Sequence, residues 1–126
     1  MSTRIIKINN GDSFELVITI SDSGKVPEDY VLKSTDALYF AVVLPHQKFE
    51  DAIILKGYSG SDPEVTPGTC EVTIKLTHND TKRLVPGVYY YTAKLHIGGS
   101  LKDLGASIEP EDVYTIIERT KFIVNE

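Results

Sequence analysis

Apolar and polar residues alternate strictly along two stretches of this chain. Cys70, Val72, Ile74 and Leu76 alternate with Glu71, Thr73 and Lys75; Tyr89, Tyr91, Ala93, Leu95 and Ile97 alternate with Tyr90, Thr92, Lys94 and His96. A period of two puts every second side chain on one face, so both stretches are predicted to be half-buried strands. Between them Thr77 stands three residues before Asp80, the spacing of a helix cap. This predicts about one or two helical turns over 77–84, before Pro86-Gly87 turns the chain. The connection is too short for a crossover helix to lie along a sheet, so an antiparallel or two-sheet arrangement of the pair is expected.

The remaining pattern supplies their partners. Phe14, Leu16, Ile18 and Ile20 alternate with Glu15, Thr19 and Ser21 after the turn signal Asn9-Asn10-Gly11-Asp12, and Ser21-Asp22-Ser23-Gly24 ends that strand. Residues 25–36 are mostly polar and contain Pro27, which marks a connection. Residues 37–44, ALYFAVVL, are apolar throughout, as in a strand covered on both faces or paired mid-sheet, and Pro45 stops it. A short strand is expected around Ile53, Ile54 and Leu55, then an exposed loop over 57–68 rich in Gly, Ser, Asp and Pro. The polar stretch 98–112, with Leu101, Leu104 and Ile108, reads as a long hairpin tip. Residues 113–124 return to strand composition but change phase, which predicts a bulge or a crossing between sheets. At the start, Arg4, Ile5, Ile6 and Ile8 belong to a segment, 4–9, open to two readings: a sheet edge, or an arm reaching a neighbouring subunit. Counting it gives about seven strands, so the predicted fold is an all-β antiparallel sandwich with one short helical turn.

Composition narrows the class. A chain of 126 residues, 41% hydrophobic, fits one domain. Its net charge of −5, with Lys and Arg scattered, argues against a nucleic-acid or anionic-membrane partner. The start lacks the apolar core of a secretory signal, and no run is long enough to span a bilayer, so a soluble protein made in a cytoplasm is expected. The single cysteine, Cys70, has no partner for an internal disulfide and sits at an inward strand position, as a small apolar residue would.

Candidate chemistry is sparse. Gly57-Tyr58-Ser59-Gly60-Ser61 resembles a nucleophile elbow but lacks the last glycine and a following helix. His46, His78 and His96 fall on a loop, the helical turn and an outward strand position, without metal-ligand spacing. Asp51, Asp62, Glu64, Glu109, Glu111 and Asp112 lack the alternating pattern of a calcium loop, and Gly98-Gly99-Ser100 lacks the lysine and helix of a phosphate cradle. No catalytic residue, metal or cofactor is expected. Tyr89 and Tyr91 should pack inward, whereas Tyr90 points outward, where a phenol suits a protein or sugar contact.

Several of these stretches together resemble a known family. Gly11-Asp12-Ser13-Phe14-Glu15-Leu16, Asp22-Ser23-Gly24, the apolar strand 38–44, and Gly68-Thr69-Cys70-Glu71-Val72-Thr73-Ile74 are the first part. Leu76-Thr77, Asp80-Thr81, Leu84 and Pro86-Gly87-Val88-Tyr89-Tyr90-Tyr91 complete it. The set is similar to the immunoglobulin-like domain at the N-terminus of phage baseplate upper proteins, and to small tail and head-decoration proteins of related phages. The resemblance runs from about Gly11 to Val124 and rests on turn and strand pattern.

It implies an arm or edge strand over 1–10 and an immunoglobulin-like sandwich over 11–126. It also implies a virion protein, made in the bacterial host, that acts through contacts with other virion proteins as a homo-oligomer. Two departures stand out: no fibre or coiled coil is appended, and the loop 98–112 is enlarged. The expected contact residues are Arg4, Ile5, Ile6, Ile8, Tyr90, Leu101, Leu104 and Ile108. The alternative is a carbohydrate-binding module, which would need exposed aromatics beyond Tyr90, such as Tyr58 or Tyr114; an enzyme ranks last.

Overall fold

The computed structural model describes residues 5–98 and 112–126. The alternating stretches form strands: β1 (Ile6–Asn9), β2 (Phe14–Thr19), β3 (Ala37–Val43), β4 (Ile54–Ser59), β5 (Glu71–Leu76), β6 (Gly87–Ile97) and β7 (Asp112–Asn125). One sheet has the order β1-β7-β6-β3-β4, the other is the pair β2-β5. Every pairing is antiparallel except that of β1 with β7, which is parallel and departs from the expected pattern. Burial follows the predicted faces: Val72, Ile74 and Leu76 of β5 and Tyr89, Tyr91, Ala93 and Leu95 of β6 all point into the core.

Strand order and connection together give the immunoglobulin-like sandwich. Central β3 and β6 are flanked by β4 and β7, the second and fifth strands form the opposite sheet, and β1 crosses over to lie beside β7. The corner between β5 and β6 carries a further mark of that fold. The Tyr89 hydroxyl, at the start of β6, donates to the Val85 carbonyl at 2.7 Å, the tyrosine corner of such domains.

In antibody domains a disulfide joins the sheets two residues beyond that tyrosine. Here the position is Tyr91, and Cys70 is a buried free thiol on the opposite sheet's side of the core. Aromatic packing takes over the link. Phe40 and Tyr91 lie 5.9 Å apart, Tyr91 and Phe122 meet at 6.3 Å in a T-shaped contact, and Phe14 of β2 meets Phe122 edge-on at 6.3 Å. Each such pair adds about 0.5–1.5 kcal/mol beyond the area it buries.

The helical turn α1 (His78–Thr81) forms as the sequence predicts. Asp80 N–H donates to Thr77 Oγ1 at 3.3 Å, and Thr77 N–H donates to Asp80 Oδ2 at 2.8 Å, a reciprocal capping box. The turn after β1 clamps this corner. Asn10 Nδ2 donates to the Leu84 carbonyl at 2.6 Å, Thr81 Oγ1 to the Asp12 carbonyl at 2.8 Å, and His78 Nδ1 to the Gly11 carbonyl at 2.6 Å. Gly11 has φ of 85° and faces the His78 ring at 3.2 Å from an ideal Cβ, so a side chain there meets both strain and crowding.

The phase change in β7 is a pair of bulges. Tyr91 faces Thr120, Ala93 faces Ile117 and Lys94 faces Thr115, so β7 carries an extra residue at each of two steps. Ile116 and Ile117 are consequently both buried. Thr92 Oγ1 donates to the Ile117 carbonyl at 2.7 Å and satisfies a group that the bulge takes out of the ladder.

Two outcomes test this account. Tyr89→Phe removes one half-buried hydrogen bond, and the expected loss is about 1 kcal/mol in urea denaturation with an unchanged m-value. For Asp80, burial alone raises the carboxyl pKa, but the bonds from Thr77 and Lys56 outweigh it and the pKa is lowered. Its contribution is therefore complete above the unfolded value of about 4 and is lost as pH falls through the lower folded value. Asp80→Ala should cost about 1 kcal/mol at neutral pH, and the gap to the wild type should close in acid.

Candidate functional site

The outer face of the five-stranded sheet divides into a covered half and an open half. β3 is buried on both faces because the β3–β4 connection folds back over it: Phe49 packs with Ala37, Tyr39, Ala41 and Val43 in a second apolar cluster. The Lys94 ammonium lies 5.0 Å from the centre of the Phe49 ring. Arg119 holds the connection down from β7, with Nη1 donating to the Pro45 carbonyl at 3.2 Å and Nη2 to the Gln47 carbonyl at 2.5 Å.

Between the latch and the sheet is an open groove of about 550 Å³, lined by Lys48, Phe49, Thr92, Lys94, Thr115, Glu118 and Arg119. Three cations face one carboxylate there, in a chain of net charge −5. Such a surface can take a carboxylate or polar group of a partner. The groove was not legible as a site in the sequence, because its residues come from three separated segments; the one local signal is Phe49, a lone apolar residue in the polar run after Pro45.

The open half lies over β6, β7 and β1. Val88 pairs with Ile123, Tyr90 with Lys121, and Ile123 with Lys7. Ile5 shares their face by the period-two rule. Val88 and Ile5 are 47% and 53% exposed, Tyr90 and Ile123 are half-buried, and Lys7 and Lys121 are exposed. This apolar strip with basic neighbours brings Ile5 and Tyr90, two of the expected contact residues, onto one surface.

Ile6 and Ile8 point the other way. They are buried in this chain's own core, at 4% and 8% exposure, because the segment is an edge strand on β7. Of the two readings of residues 4–9, the sheet edge is the one adopted, and while β1 is docked these two side chains offer no surface to a neighbour. Arg4, Leu101, Leu104 and Ile108 lie outside the described residues.

The other candidates disperse. Ser59 ends β4, buried, with its N–H bonded to Asp62 Oδ2 at 2.7 Å. His46 is exposed, His78 is tied to Gly11, and His96 packs edge-on against Tyr39 at 4.8 Å. Among the described residues no group of three or more His, Cys, Asp or Glu is placed to hold a metal, and no helix is long and apolar enough to cross a membrane. Tyr58 is buried, with its pKa raised by that burial, and Tyr114 packs against the core, so neither forms an open aromatic platform beside Tyr90. Asp36 falls in the polar connection that the sequence predicts over 25–36. It is buried and accepts from Tyr30 Oη at 2.8 Å and Gly98 N–H at 3.0 Å; burial first, then Asp36, raises the Tyr30 pKa well above the ordinary phenol.

Arg119→Ala should release the latch, lowering stability by about 1–2 kcal/mol and speeding amide exchange over residues 45–51. Arg119→Lys should not restore it, because one ammonium cannot span two carbonyls as a planar guanidinium does. No protein-family model, curated protein or solved structure matches the chain.

Proposed function

We propose that this chain is a non-enzymatic structural or adaptor component of a bacteriophage particle, in the baseplate, tail or head decoration, acting through protein–protein contacts. The observation that carries the reading is the group of Ile5, Val88, Tyr90 and Ile123 on the outer face of an immunoglobulin-like sheet, with Lys121 between Ile5 and Tyr90 and Lys7 beside Ile123. Large apolar side chains interleaved with cations on a sheet face suit a contact surface. The histidines and Cys70 lie on separate elements, which fits a role in contact. The sequence resemblance supplies the virion setting. Partners are therefore other virion proteins or further copies of this chain.

The test is particle association. Tagged at its own locus, the chain should sediment with purified particles at a fixed copy number. Val88→Lys should abolish that association at an unchanged melting temperature, whereas Tyr90→Ala should weaken it and also lower the melting temperature, because Tyr90 packs against the Phe49 cluster. Recovery of the wild-type chain only outside the particles sinks the proposal.

A further inference from the structure

The two sheets are unequal, and the smaller one presents an edge whose hydrogen-bonding groups are assignable. Ile20 N–H donates to the Cys70 carbonyl at 3.2 Å, and the β2–β5 register continues Thr19 opposite Glu71, Val17 opposite Thr73 and Glu15 opposite Lys75. In an antiparallel ladder the residues that exchange bonds alternate with those that do not. Ile18, Leu16 and Phe14 therefore bond to β5, while Thr19, Val17 and Glu15 direct N–H and C=O away from it. The far side of β5 agrees with this phase. Thr73 N–H donates to the Glu64 carbonyl at 2.9 Å and the Glu71 carbonyl accepts from Thr66 N–H at 3.1 Å, so neither residue bonds back to Val17 or Thr19.

Among the described residues no strand lies along the other edge of β2. Over Phe14–Thr19 that edge has no proline, no lysine and no bulge, and Glu15 is its one charge. Phe14 and Leu16 point toward the core yet are only half-buried, whereas Val72, Ile74 and Leu76 beside them are at most 1% exposed. Val17, on the solvent face, is 57% exposed. Across the sandwich Phe14 meets Phe122 of β7. β2 carries Glu15 and no basic residue, so a second copy of β2 offers that carboxylate no cation, whereas an extended segment of a basic partner does.

We propose that the outer edge of β2 is a strand-addition site that takes one extended segment of a partner protein. Its chemistry follows from the groups it faces. Residues opposite Glu15, Val17 and Thr19 share their solvent face, which favours Lys or Arg against Glu15, a β-branched residue against Val17 and a hydroxyl against Thr19. The intervening residues turn inward and cover Phe14 and Leu16, so they are apolar. The backbone of the β2 edge supplies affinity and these alternate side chains supply selection. This deepens the contact-module reading by naming the kind of partner, and rests on that reading only for the partner's source.

The probe is an acetylated peptide, Lys-Thr-Leu-Val-Leu-Lys-Leu, designed to lie antiparallel on β2. In the free chain the amides of Glu15, Val17 and Thr19 should exchange quickly and those of Leu16 and Ile18 slowly. Added peptide should protect all three fast amides. Val17→Pro removes a donor that faces outward, so it should leave the β2–β5 ladder intact and weaken peptide binding about tenfold, the effect of losing one hydrogen bond. Slow exchange at the three amides in the free chain, or no protection at about 1 mM peptide, overturns the proposal. Should Val17→Pro fail to fold, the wild-type exchange data decide alone. Particle association does not enter this measurement, so the two proposals fail separately.

Discussion

The contact of Phe14 with Phe122, continued through Tyr91 to Phe40, is what makes two sheets into one domain. A two-stranded sheet is not stable by itself, and β2-β5 exists because its inner side chains find this cluster and the aliphatic residues around it. Antibody domains reinforce the same place with a covalent link. Here the link is packing alone, and it depends on shape: a ring at position 91 reaches both Phe40 on β3 and Phe122 on β7. The tyrosine corner sets that ring's position, since Tyr89 fixes the start of the strand two residues earlier.

Local pattern made much of the fold legible. Period-two alternation located β2, β5 and β6 and assigned their inner faces, because a half-buried strand must segregate its side chains. The unbroken apolar run 37–44 foretold a strand covered twice, and the cover proved to be Phe49 from the following connection. The phase slip near Ile116 and Ile117 foretold bulges, because two adjacent buried residues cannot share one face of a regular strand. What stayed hidden is long-range. Nothing in Ile6–Asn9 specifies a parallel pairing with a strand more than a hundred residues away, and Arg119 gives no local sign of its hold on Pro45 and Gln47. Contact surfaces are less legible still: Ile5 and Ile6 are the same residue type, and only the register separates the exposed one from the buried one.

The same asymmetry orders the molecule's surfaces. Five strands facing two leave the larger sheet to supply a broad face, half covered by its own connection and half open, while the smaller sheet contributes an edge. A face recognises by side chains and an edge by backbone, so the two can be engaged together without competing. For the contact role proposed above, this separation would let one domain bridge neighbours of different kind.

The parallel pairing of β1 with β7 has a mechanical consequence. The chain enters at the leading end of β1 and leaves at the trailing end of β7, and the two strands run side by side in the same direction. Tension applied across the two ends pulls the strands past each other lengthwise, so the hydrogen bonds between them carry the load together instead of opening one after another. Forced unfolding is governed by the barrier to that first rupture. The parallel pairing therefore resists a pull along the strands more than one across them.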